Sequence, residues 1–249
     1  MRRIAMGIFA VALGVMIEGP IVYAEEEAAP AEEKGGIKDW IPGGVSGTVG
    51  FFSDYSFRGV SQTGRDMAVQ GGVTYTHDTG LFAGVWGSNT NFGKTYLEQD
   101  FIAGYGGAFD KFTYSVLATF FYYPNDEQFN YWEFILNTGY DFGFMSTSLG
   151  FIGSPDYFGI LDTGFYVPVG IGIPIPWEND YVSLKVDVKG GYTHADRVIF
   201  EDHHYFDWST ALIVGLPFNL ALDLRYVDTD VKDVDDADAR FVVGATFSF

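Results

Sequence analysis

The sequence predicts an all-β protein, a transmembrane antiparallel up-and-down β-barrel of about twelve strands, with ten left open. Three observations lead there. The chain opens on a secretory pattern, alternates apolar and polar residues in segments of roughly ten from Val45 onward, and stops on an alternating aromatic stretch. In that last stretch Phe241, Val243, Ala245, Phe247 and Phe249 share one strand face. A soluble β-protein could end this way too. Joined to the secretory start and the alternation, the aromatic end points to the outer membrane of a Gram-negative bacterium.

Residues 1–24 are expected to be a signal peptide: Arg2 and Arg3 are the basic start, Ile4 to Ile17 the apolar run, and Val22, Tyr23 and Ala24 the cleavage site. Glu18, Gly19 and Pro20 stop the apolar run short of the ~20 residues a spanning helix needs. Residues 25–44, rich in Glu, Ala and Pro toward their start, read as a flexible acidic periplasmic leader, and 45–249 as one barrel domain. Cysteine is absent, so neither disulfides nor a lipid-modified cysteine is expected to hold the protein, and sheet closure must. The formal charge of -19 argues against a nucleic-acid partner, since phosphate binding needs clustered Lys and Arg.

Strand by strand, the first segment places Val45, Val49, Phe51, Tyr55 and Phe57 on a lipid face and Ser46, Thr48, Asp54, Ser56 and Arg58 on a lumen face. From Tyr181 to Thr193, valines alternate with Lys185, Asp187 and Lys189, which a helix would not explain. Leu220, Leu222 and Leu224 alternate with Ala221, Asp223 and Arg225, and Trp132 and Phe134 flank Glu133. Tight turns are expected at 78–80, 108–111, 141–143, 176–180 and 216–219, with longer polar connections at 58–66, 88–95, 124–130, 154–162, 194–204 and 228–238. Short and long connections alternate, as periplasmic turns and extracellular loops do. Tyr55, Phe57, Tyr122, Trp132 and Trp208 then fall at the outer rim, and Tyr75, Trp177, Tyr181 and Phe249 at the inner one. Phe82 to Ser88 and Asp162 to Val169 alternate least, which is why ten strands stay open.

The charges expected in the lumen are Asp54, Arg58, Glu98, Asp100, Glu133, Lys185, Asp187, Lys189, Asp207, Asp223, Arg225 and Arg240. Asp54 and Arg58 lie about 13 Å apart along a strand, so each is expected to pair with neighbouring strands rather than with the other. About twelve strands sit between a bore filled by side chains and an aqueous channel. The set could line a conduit for small hydrophilic solutes or ions, with carboxylates in modest excess favouring cations, or form a salt-bridged plug in a structural or ligand-binding barrel that works through its outer loops. Glu201, Asp202, His203 and His204 are potential metal ligands without a recognised spacing, and the acidic run 228–238 lacks the pattern of a calcium loop. No nucleophile–base motif or phosphate-binding loop stands out, so no catalytic residue, metal or cofactor is expected. Outer-membrane lipid and lipopolysaccharide are the expected partners. Phe241, Val243, Phe247 and Phe249 are the expected assembly signal for the barrel assembly machinery.

Ser53 to Gln62 (SDYSFRGVSQ), followed by Ala68 to Gly72 (AVQGG) and Gly84 to Asn89 (GVWGSN), resembles the TorF-type porin family, also called the Gcw conserved hypothetical family. Glu98, Gly104, Tyr105 and the Tyr122-Tyr123-Pro124 stretch extend the likeness, and Met67 stands where a Pro would be expected. The resemblance implies an outer-membrane location and a porin label, and it implies no substrate.

Overall fold

A computed structural model of the protein describes residues 42–177 and 181–249. The expected signal peptide and nearly all of the expected leader lie outside the described residues, as does part of the turn expected at 176–180. The chain forms β1 (Gly44–Phe52), a small hairpin of β2 (Ser56–Phe57) and β3 (Val60–Ser61), then β4 (Ala68–Thr76), β5 (Leu81–Asn89), β6 (Leu97–Phe109), β7 (Phe112–Tyr122), β8 (Tyr131–Asp141), β9 (Ser146–Ser154), β10 (Gly164–Ile175), β11 (Ser183–Ile199), β12 (Asp202–Leu216), β13 (Leu220–Thr229) and β14 (Arg240–Ser248). All except β2 and β3 join in one closed antiparallel barrel of twelve strands, in which each strand pairs with its neighbours along the chain and β14 closes onto β1. Closure leaves no unpaired edge.

The two least alternating segments are strands β5 and β10, so ten strands are excluded. Two other expectations need correction. The first strand ends at Phe52 rather than running to Arg58, and Tyr55 and Phe57 are buried inside instead of facing lipid at the rim. The connection expected at 194–204 is mostly strand: His194 pairs with His204 and Ile199 with Asp202, leaving Phe200 and Glu201 as the tip.

On the outer surface, Val49, Phe51, Val69, Val85, Phe101, Val116, Phe134, Leu222, Leu224 and Val243 are exposed, as an apolar band against lipid requires. The β9–β10 ladder pairs Tyr166 with Ile152 and resumes at Val169 with Leu149. Pro168, which has no N–H to donate, sits in the gap. Inside, Phe82, Ile102, Leu117, Ile135, Ile152 and Tyr166 form one buried apolar cluster on successive strands β5 to β10. Their bulk fits because glycines face it. A Cβ on Gly191 would lie 2.2 Å from the Tyr166 ring, so only glycine lets that ring lie flat on β11.

Candidate functional site: the lumen and its inward hairpin

Residues 54–63, between β1 and β4, fold into the lumen. The reason is local. Arg58 and Gly59 both have positive φ, +51 and +81, the two-residue turn whose twist suits a tight hairpin. β2 and β3 pair through Ser56 with Ser61 and Phe57 with Val60. The tip presses on β12 and β13: a Cβ on Gly59 would meet Thr229 Cγ2 at 2.4 Å and Asp207 Cβ at 2.9 Å. Glycine is therefore required there both for its backbone and for its lack of a side chain.

Side chains anchor the hairpin from three directions. Arg58 Nη2 donates to both Glu133 carboxylate oxygens at 2.8 Å, a forked contact with each side chain at most 2% exposed. Its Nη1 donates to the Tyr157 hydroxyl, and its guanidinium lies 4.5 Å from the Phe57 and Tyr166 ring centres. Burial raises the Tyr157 phenol to about 12, so it stays a protonated hydroxyl. At the base, Arg240 Nε donates to Asp54 Oδ2 at 2.5 Å and its Nη1 to the Gly59 carbonyl at 2.8 Å. On the third side, Tyr55 donates to Glu98 Oε1 at 2.9 Å and Tyr123 to Glu98 Oε2. Tyr55, Phe57, Phe121, Tyr123 and Tyr131 then pack as one aromatic cluster.

All twelve charges expected in the lumen lie at most partly exposed on the inner side of the barrel, in two groups. Asp54, Arg58, Glu98, Glu133 and Arg240 hold the hairpin, and Asp100 is buried beside them with neither carboxylate oxygen hydrogen-bonded. Lys185, Lys189 and Arg225 converge on Asp187 at 3.3, 3.6 and 3.5 Å, and Arg225 also meets Asp223 at 2.8 Å. Asp207 accepts from the Tyr166 hydroxyl at 3.1 Å. Asp54 does pair with a neighbouring strand, β14. Arg58 does not: it crosses the bore to β8, five strands round the ring from β1 one way and seven the other. Sequence reasoning missed Tyr55, Tyr123, Tyr157 and Tyr166, the hydroxyls that bind these charges. The one local signal was Arg58-Gly59 between two short extended pairs.

Among the described residues no three His, Asp or Glu gather where they could hold a metal ion. Phe241, Val243 and Phe247 are exposed along the outer face of β14, and Phe249 just past its end.

A closed twelve-strand barrel with an apolar exterior and a charged interior narrowed by its own hairpin is the fold of an outer-membrane porin. The chain belongs to the Gcw_chp family, described as bacterial protein of unknown function, whose model matches residues 40–247. Among solved structures it is similar to the KdgM porin, with TM-score 0.57 and 10% identity over 82% of this chain and 99% of that one. It is also similar to the NanC porin, with TM-score 0.53 and 10% identity over 82% and 99%. A second KdgM structure, in complex with disordered oligogalacturonate, gives 0.55 and 9% over 82% and 98%. At these identities the likeness is one of fold. No curated protein matches the chain in sequence.

Proposed function

We propose that this protein is a narrow outer-membrane channel of a Gram-negative bacterium, passing small hydrophilic solutes or ions and weakly preferring cations. The TorF-type porin label fits this reading, as do lipid, lipopolysaccharide and the barrel assembly machinery as partners, with the outer face of β14 as the assembly signal. The observation that carries it is the charged wall of β11 to β14, which keeps Lys185, Asp187, Lys189, Asp223 and Arg225 along the bore beneath the hairpin. A barrel serving only as an anchor has no need of so many charges facing inward. The inward charges support a channel rather than an enzyme.

A second reading, a non-conducting barrel that acts through its outer loops, is favoured by one observation: the hairpin packs into a buried aromatic cluster inside the barrel. Planar-bilayer conductance of the refolded protein under a salt gradient separates the two, with a heat-modifiability gel confirming the folded barrel. Discrete steps with a cation-signed reversal potential, shifted further toward cations by Lys189→Glu, are expected. A folded but silent barrel would overturn the channel reading in favour of the second.

A further inference from the structure

The chain has four histidines, and three of them, His194, His203 and His204, lie at the outer end of the β11–β12 pair. A regular ladder would keep His203 away from His194: His204 stands opposite His194, so its neighbour His203 belongs on the other face. The ladder is not regular there. Between the pairs His194–His204 and Ile199–Asp202, β11 has four residues, 195–198, against His203 alone. Bulges of this kind re-aim side chains, and the His203 ring centre comes to 6.4 Å from that of His194. The Nδ1 atom of His203 lies 3.2 Å from the Ala195 carbonyl oxygen. A carbonyl only accepts, so this nitrogen carries a proton and the neutral ring keeps its lone pair on Nε2. Metal-ligating histidines are held in the same way. His203 is exposed and His194 half-buried, so both can be reached from solvent.

We propose that this bulge makes a surface site for copper(II), with His194 and His203 as trans ligands and water in the remaining positions. The spacing selects the ion. With metal–nitrogen bonds of about 2.0 Å and each nitrogen about 1 Å from its ring centre, two imidazoles on one ion have centres about 6 Å apart when trans and about 5 Å apart at a tetrahedral angle. The observed 6.4 Å therefore suits a tetragonal ion better than tetrahedral zinc, and copper(II) also leads the affinity order of the divalent metals for imidazole. The third histidine stands apart. His204 Nδ1 is 3.4 Å from Asp202 Oδ1 and its ring lies against Tyr192, in keeping with the absence of three converging donors among the described residues. Glu201 and Asp202, both exposed at the tip, add negative charge that draws a dication to the site.

The site is independent of the channel reading, and binding is measured without conduction, so a silent barrel would leave it standing. The test is isothermal titration of the refolded, tag-free protein in detergent with copper(II) chloride and with zinc(II) chloride, joined to electron paramagnetic resonance of the copper form. One saturable equivalent of copper is expected, bound at least about tenfold more tightly than zinc, with two imidazole nitrogens in the spectrum. His194→Ala and His203→Ala should each weaken copper about tenfold or more and remove one of those nitrogens; both are checked for heat-modifiability. His77→Ala, in the turn between β4 and β5 at the opposite end of the barrel, should change neither. The nitrogen count and the comparison of metals on the unaltered protein stand even if a variant misfolds. No saturable copper, zinc bound as tightly as copper, or a spectrum unchanged by both substitutions would each overturn the proposal.

Discussion

The two inner walls of this barrel solve the same problem differently. Along β5 to β10 the inner wall is covered by packing: Phe82, Ile102, Leu117, Ile135 and Ile152 cluster on it as in a soluble core. Along β11 to β14 it is lined by charge, with three cations gathered on Asp187. The hairpin bridges the two, rooted by Arg240 on the charged side and clamped by Glu133 on the packed one. A barrel of this bore can thus be solid on one side and polar on the other, and the two sides should answer mutation unequally.

The largest effect is expected at the clamp. Glu133→Ala removes the carboxylate that neutralises the buried Arg58 and should cost about 3–5 kcal/mol in urea unfolding. The paired change Arg58→Met with Glu133→Leu should cost clearly less, because no bare charge remains. If the single change cost no more than the pair, the clamp would not be a buried ion pair. Next comes the packed wall itself. Ile152, 2% exposed, should lose about 2–5 kcal/mol on change to Ala. Gly191→Ala, which drives a methyl into the Tyr166 ring, should cost about 1–3 kcal/mol by overpacking. On the charged wall Asp187→Asn should read mainly in selectivity, moving the reversal potential toward anions as Lys185, Lys189 and Arg225 lose a shared counter-charge; an unchanged potential would remove this wall from the conduction path. The smallest effect is expected at the rim. Arg197 and Asp162 pair at 2.7 Å but are 62% and 56% exposed, so Arg197→Ala should stay within about 1 kcal/mol by the same unfolding assay.

The same contrast decides what could be read from the residues. On β11 and β13 lipid outside and charge inside give an unmistakable period of two, and those strands were legible. On β5 the inner positions include Phe82 and Trp86 and the outer ones Leu81 and Val85, so both faces are apolar and the pattern fades. β10 fades for the same reason, with Tyr166 and Pro168 inside against Phe165, Val167 and Val169 outside. Tyr55 and Phe57 misled because alternation cannot distinguish an apolar residue facing lipid from one packed in the bore. His194 to His204 misled in the opposite sense: a strand pair leading to an outer connection can be polar and so resembles a loop. The lumen charges were identifiable by strand face. Their partners were not, because Arg58 to Glu133 and Arg240 to Asp54 depend on where the hairpin lands.

That landing also bears on how the barrel comes together. All wall pairings join chain neighbours except β1 with β14, the one pairing that must bring distant ends of the barrel together. Asp54 follows β1 directly and Arg240 opens β14, so their bridge, spanning 186 residues, lies across that same seam. Contacts so distant in sequence bear the greatest loop-closure entropy and form late. Sealing the cylinder and seating the hairpin then become a single kinetic step: an unsealed chain has no Arg240 in place for Asp54, and an unseated hairpin leaves the seam without its buried ion pair. Refolding followed at Trp86, which packs against Tyr55, should share its slowest phase with the gain of heat-modifiability.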